Sequence, residues 1–318
     1  MFKHIAGARL PGAFLACALT LLAASGCKKA TGPGGASSGS APGASAPEED
    51  SADKAEGAKL HAAIECLNRH SNRVGEVRAG YLKQVDPATG SSHGKKANLL
   101  GLYGTDSCAQ DIKQAGALTP AVPALDSASA AYVAALEGLV KTWEEIGAYY
   151  QKGDYLDDGG KQAAVLHPKV MAAFKTFGAA NNQLSTTVER LNRARRVAKL
   201  AAREKAEGRN LSVLMDSMML EAETLIGLTM SPNASAASLD PQISTVGKLI
   251  DEVDAYAAAH KDEESKWGSM GNIKNYDKSF LAATKVVARK LRTKAAPTDS
   301  DLAEISNQYN LLVDNYNH

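Results

Sequence analysis

The sequence predicts an all-α protein: an elongated multi-helix bundle of about six to eight helices behind a signal peptide and a disordered linker. Three observations lead there. Apolar residues recur at steps of three, four and seven from about residue 58 onward. Alanine is abundant and aromatic residues make up only 5% of the 318, a balance that favours packed helices over sheets. No stretch reads convincingly as a strand, and no repeat of fixed period is visible.

The first segment is read as a targeting signal over residues 1–26. Met1 to Arg9 carries Lys3, His4 and Arg9 without an acid, and Ala13 to Ala24 is almost wholly apolar. That apolar run is too short for a stable membrane helix and suits a secretory signal. It ends Leu21-Leu22-Ala23-Ala24-Ser25-Gly26-Cys27. Small residues directly before a cysteine are what a lipoprotein signal peptidase requires, so Cys27 is the expected lipidation site, carrying palmitate-type acyl chains. Two or three such chains hold a protein stably in a bilayer, at about 0.8 kcal/mol per buried methylene. Ala24 stands where a lipobox usually has leucine, and ordinary secretion after Ala24-Ser25-Gly26 is the alternative. Lys28 follows the cysteine, where aspartate would signal inner-membrane retention in enteric bacteria. The expected location is therefore the bacterial cell envelope, outer membrane more than inner, with the lipid bilayer itself as a partner through Cys27.

Charge and cysteines narrow the function. The signal removes Lys3 and Arg9 from 36 basic side chains and nothing from 35 acidic ones, which leaves a net charge near −1. A near-neutral chain offers no electrostatic case for nucleic acid. Of the four cysteines, Cys17 leaves with the signal and Cys27 is acylated. Cys66 and Cys108 are left, and in an exported protein the simplest outcome is a disulfide; two buried thiols are the alternative. Closing a loop of about 43 residues contributes at most about 4 kcal/mol. Two cysteines do not complete a zinc shell and no CxxC is present, so no metal and no cofactor are expected.

Residues 27–57 are rich in Gly, Ala, Ser and Pro, with an acidic patch at Glu48, Glu49 and Asp50, and read as a flexible tether. Residues 58–318 are the helical domain. Leu60, Ile64, Leu67, Val74, Val77, Tyr81 and Val85 predict a helix to about Asp86, weakened at Gly75 and Gly80 and ended by Pro87 and Gly90. A shorter helical stretch, Ala97 to Gly116, carries Cys108. The next helix opens at Thr119-Pro120 with Thr119 as N-cap, or at Pro123, and runs to Gly153. Its stripe is Tyr132, Leu136, Leu139, Val140, Trp143, Ile146 and Tyr150.

His167-Pro168 starts or kinks the longest helix. Val170, Phe174, Phe177, Asn181, Leu184, Val188, Leu191, Arg195, Ala198 and Ala202 form a heptad-like seam. Arg190, Arg193, Arg195, Arg196, Lys199 and Arg203 read as a solvated basic face or, alternatively, a dock for headgroups or an acidic partner. After Gly208 a helix spans Leu211 to Met230, with Met215, Met218 and Met219 as core filler. Three more helices follow over Ile243–Ala259, Ile273–Leu291 and Asp301–Tyr316, with Ser231 to Pro241 as a loop and Ser300 or Asp299 capping the last.

HExxH, a phosphate-binding glycine loop, GxSxG and an EF-hand loop are all missing. No positioned acid, base and nucleophile stand out, so the chain is expected not to be an enzyme. One constellation holds polar chemistry: Tyr149, Tyr150, Asp154, Tyr155, Asp157, Asp158 and His167, gathered where two helices meet. Its plain reading is caps, ring stacking and a solvated turn. Its sharper reading is a small site for a cation or a partner's basic group.

Lys59-Leu60 and Ile64-Glu65-Cys66-Leu67-Asn68, together with Tyr149-Tyr150-Gln151-Lys152-Gly153-Asp154-Tyr155-Leu156-Asp157-Asp158, Lys161 and Leu166-His167, carry a resemblance. The chain from about Lys59 onward resembles the YiiG-like bacterial lipoproteins of unknown function. The resemblance implies an all-helical body and supplies no catalytic residue. The expectation is a non-enzymatic helical interaction or scaffold protein with an envelope protein partner, or alternatively an extracytoplasmic module for a small ligand or cation.

Overall fold

The computed structural model of the chain describes residues 51–317. The readings on the signal, Cys27 and the tether up to residue 50 lie outside these residues. Among the described residues there are ten helices and no strand. Eight are long: α1 (Ser51–Leu82), α2 (Thr105–Gly116), α3 (Pro123–Lys152), α5 (Lys161–Glu207), α6 (Leu211–Met230), α7 (Ala236–Ala259), α9 (Met270–Arg292) and α10 (Asp299–Tyr316). Two are single turns, α4 (Asp154–Asp157) and α8 (Lys261–Glu264). The all-α expectation is borne out. No described helix is long and apolar enough to cross a membrane.

The chain divides into two compact units, with the boundary inside α5 between Leu191 and Asn192. The N-terminal unit holds α1 to α4 and the first part of α5 around one apolar core. Leu60, Ile64, Val77 and Tyr81 of α1 meet Tyr132, Leu139 and Ile146 of α3 and Val170, Phe177 and Leu184 of α5 there. The C-terminal unit has its own core, in which Met215 and Met218 of α6, Val246 and Val253 of α7, Ile273 and Phe280 of α9 and Leu312 of α10 are fully or almost fully buried. The methionines are packing material, as their helical spacing suggests.

Several boundaries differ from the sequence reading, each for a local reason. α1 begins at Ser51, so the last seven residues assigned to the tether are helical. Ala52 and Ala55 are strong helix formers, Asp53 suits the first turn, and Ala55 is already buried. The stretch from Asn98 to Gly104 is not helical. Arg73 donates to Gly101 O at 2.8 Å, Trp143 Nε1 to Leu100 O at 2.9 Å, and Gln84 exchanges two hydrogen bonds with the Asn98 backbone. These side chains hold the segment extended. α3 starts at Pro123, and Thr119 is not its cap. The Asp126 carboxylate accepts from Val122 N at 2.8 Å and does the capping from inside the helix.

α5 begins six residues before His167, because Asp158 accepts from Gly160 N and Gln162 N at 2.7 and 2.8 Å. Pro168 therefore lies inside the helix and does not open it. α7 opens at Ala236 through a capping box of Ser235 and Ser238, and Pro241 is absorbed early in the helix. α10 is capped by Thr298 reciprocally with Asp301, in place of Ser300 or Asp299.

The seam of α5 holds from Val170 to Val188, all buried at its apolar positions, with Asn181 buried and accepting from Ser71 Oγ at 2.6 Å. Beyond the unit boundary Ala198 and Ala202 are exposed. The face that packs becomes Arg193, Arg196, Leu200 and Arg203, half-buried. Arg193 pairs with Glu221 at 3.0 Å, Arg196 with Glu223, and Arg203 with Asp216. Much of the basic run thus meets an acidic partner within its own chain, on α6, and is not simply solvated. Each such half-exposed pair is worth about 0.2–1 kcal/mol.

Candidate functional site

The seven residues singled out in the sequence all fall in the N-terminal unit, and the structure does not gather them into one polar site. Tyr149, Tyr150 and Tyr155 form one aromatic cluster, with ring centroids 5.1 to 6.5 Å apart. Tyr149 donates to Asp158 Oδ1 at 2.9 Å. Burial and the neighbouring Asp158 push the Tyr149 phenol above its ordinary range. Asp158 is held below the usual carboxylate range, first by the Gln162 backbone N–H it accepts and also by Tyr149. Asp154 and Asp157 are exposed and make no side-chain hydrogen bond or ion pair among the described residues. They do not converge with His167.

His167 faces the core and is 4% exposed. Its Nε2 lies 2.9 Å from Pro87 O and its Nδ1 2.8 Å from Tyr81 OH. A carbonyl only accepts, so Nε2 carries the proton and Nδ1 accepts from the Tyr81 hydroxyl. Both ring nitrogens are spent on the fold, and no lone pair is left for a metal or a substrate proton. Tyr81 is pushed up by burial and by Tyr150 beside it. Its ring also meets His167 and Trp143, at centroid distances of 5.6 and 5.5 Å.

What the corner grips is the segment Asp86–Ser92, whose role the sequence reading missed. Tyr150 OH donates to Gly90 O at 2.6 Å. The Asp86 carboxylate accepts from Ala88 N, Thr89 N and Thr89 Oγ1 at 2.8 to 3.0 Å, which tightens the segment into a turn. Gly90 has φ +71 and packs so closely that an added methyl would sit 2.7 Å from His167 Cγ. The signal was present as Asp86-Pro87-Ala88-Thr89-Gly90, an aspartate-led turn ending in glycine. Among the described residues no group of three His, Cys, Asp or Glu side chains could hold a metal ion. The corner is a clamp of α1, α3 and α5 side chains on the turn that follows α1.

Cys66 and Cys108 are at bonding distance, with Cα atoms 5.3 Å apart, and join α1 to α2. Nearby, α2 and α3 enclose a cleft of about 610 Å³, lined by small and apolar side chains such as Ala109, Ile112, Ala130 and Val133. At its floor the Lys59 ammonium, buried to 2% exposure, contacts Asp126 at 2.9 and 3.0 Å and Gly116 O at 3.4 Å. Lys113 and Glu137 also line it, so its charges balance. Lys59 belongs to a block that carries the family resemblance, but nothing in the sequence marks it as a buried cation.

The fold and these sites define a class: a protein all-helical over its described residues, with two compact units and, in the first, a cysteine pair and an aromatic clamp. The chain belongs to the family described as protein of unknown function DUF3829, whose match spans residues 54–318. It is 23% identical over 280 residues to the "Uncharacterized protein YiiG" of Escherichia coli (strain K12), covering 81% of this chain and 78% of that protein. The resemblance to a YiiG-like family of unknown function is thereby borne out. No solved structure matches the chain.

Proposed function

We propose that the protein is a bacterial envelope lipoprotein, held in the bilayer by acylated Cys27, whose helical body is a non-enzymatic surface for an envelope protein partner. One structural observation carries the reading furthest. The Cys66–Cys108 pair is at bonding distance within a buried helix contact, which suits an oxidising compartment outside the cytoplasm. The Leu21 to Cys27 stretch supplies the route there. The clamp supports the interaction half of the proposal, because its histidine, tyrosines and Asp158 serve the fold and not a reaction. Lys28 favours the outer membrane.

The test is fractionation of cells expressing the wild type or Cys27→Ser. The wild type is expected in the membrane pellet and the variant in the soluble extract; equal partition of the two would overturn the anchor. For the partner, a photo-crosslinker replaces Tyr103 or Leu156, the most exposed large apolar side chains described, at 77% and 66%. A discrete protein adduct supports a contact surface, and uniform labelling of lipid alone opposes it. The alternative, a small-ligand module, draws support from the α2–α3 cleft and not from the corner. Ala130→Trp would then fill the cleft and abolish binding of an apolar reporter dye.

A further inference from the structure

We propose that the two units respond to acid in opposite directions, through one buried and hydrogen-bond-orphaned titratable side chain in each: His70 in the N-terminal unit and Asp277 in the C-terminal unit. Both are 1% exposed, and neither ring nitrogen of His70 nor either oxygen of Asp277 has a hydrogen-bond partner. A buried polar group without a partner favours whichever form is uncharged. For histidine that is the deprotonated form and for aspartate the protonated one, so the same acidification works against one unit and for the other. The inference rests on these side chains and is independent of the envelope reading.

His70 lies one turn from Cys66 on α1 and beside Gly104 at the start of α2. Burial holds it below the ordinary histidine value, and the Arg69 charge acts in the same direction. The Gly104 backbone acts weakly the other way without reaching hydrogen-bond geometry. The other groups around it are committed. Arg69 donates to Ser107 at 2.7 Å, Arg73 to Gly101 O, Tyr132 of α3 to Cys66 O at 3.3 Å, and Ser71 to Asn181 of α5. On α2, Asp106 is exposed in the first turn. A lowered native value means that the unfolded chain takes up the proton first. Stability of this unit is full above the ordinary histidine value of 6.5 and is lost as pH falls below it.

Asp277 stands in the apolar stripe of α9 between Ile273 and Phe280. Burial pushes its carboxyl up to about 6 and Asp254 of α7 adds to the shift, while the Lys278 backbone N–H, without reaching hydrogen-bond geometry, and the Lys278 and Lys274 charges act the other way. Asp254 is itself engaged by Lys278 at 2.7 Å, and Asp251 lies near that lysine. Lys274 on α9 is engaged by Glu264. On α10 the residues between Tyr309 and Asn315 include buried Leu312 and Val313, with Asp314 exposed. The acids of α6, namely Asp216, Glu221 and Glu223, are held by arginines of α5. Here the native state takes up the proton first, so stability rises as pH falls through about 6 and is lost as pH rises through it.

The chain contains two tryptophans, Trp143 and Trp267, one in each unit. Urea unfolding of the full chain is followed by fluorescence in Trp267→Phe, which reports the N-terminal unit, and in Trp143→Phe, which reports the C-terminal unit. Between pH 7.5 and 5.0 the unfolding constant of the C-terminal unit is expected to fall about tenfold, and that of the N-terminal unit to rise. Asp277→Asn is expected to remove the first change, and His70→Gln the second. Midpoints that move the same way in both units, or shifts that persist in the two variants, overturn the proposal. Where a variant does not fold, hydrogen exchange of the wild-type α1–α2 and α9 peptides at the two pH values reads the same signs. A higher protection factor in α9 and a lower one in α1–α2 at pH 5.0, each taken against the intrinsic exchange rate at the same pH, supports the device, and any other pairing opposes it.

Discussion

Replacing Gly90 with alanine tests the clamp at its tightest point. Gly90 has φ +71, where a side chain costs about 1–2 kcal/mol. The new methyl would also overlap His167 at Cβ and stand 2.7 Å from Cγ and 3.0 Å from Nδ1. His167 is buried and fixed by two hydrogen bonds, so it cannot swing away freely. Relief requires the turn to lift, which endangers the Tyr150–Gly90 and His167–Pro87 hydrogen bonds. At about 1 kcal/mol each, these bring the total to about 3–4 kcal/mol. The assay is urea unfolding monitored by Trp143, whose ring touches Tyr81 next to the clamp. The same substitution in a His167→Gly background, which removes the overlapping Cβ as well as the ring, should cost only the backbone part, giving a coupling of about 2 kcal/mol. A cost below about 0.5 kcal/mol, or an equal cost in both backgrounds, would refute the packing argument.

Three further outcomes follow. Asp126→Ala strands the buried Lys59 ammonium and is expected to cost about 3 kcal/mol in chemical denaturation, whereas Lys59→Met combined with Asp126→Leu should recover most of that loss. Cys66→Ser with Cys108→Ser is expected to lower stability by up to about 4 kcal/mol, and reductant should move the wild-type urea midpoint toward that of the variant. Asp154→Ala with Asp157→Ala is expected to change stability by less than about 0.5 kcal/mol and to leave calorimetric titrations with divalent cations identical to wild type. A saturable heat lost in that variant would revive the cation site.

Periodicity made the helices legible because most of them bury one stripe. Val170 through Val188 could be placed from spacing alone. The seam failed past Leu191 because a second core begins there, and the helix turns a different face, built on Arg193, Arg196 and Arg203, toward α6. Spacing cannot reveal that change, since arginines on a packed face and on a wet face look alike in sequence. Caps were harder to read. Thr298 stands one and two residues before the candidates Asp299 and Ser300, and Asp126 seven residues after the candidate Thr119. At the corner, the aromatic and acidic residue types were visible but their partners were not. Tyr150 bonds Gly90 across 60 residues, and His167 bonds Tyr81 across 86. Only the fold brings those groups together, and in doing so it uses the imidazole that the sharper reading needed. Lys59 was hidden for a related reason: a buried cation is recognisable only once Asp126 stands opposite it.

The most direct measurement on the proposed anchor is mass spectrometry of the N-terminal peptide of the mature chain, purified from membranes with detergent. The account predicts that the chain begins at Cys27 and carries a diacylglyceryl modification on its sulfur. A mature chain that begins at any other residue, or an unmodified Cys27, would contradict it.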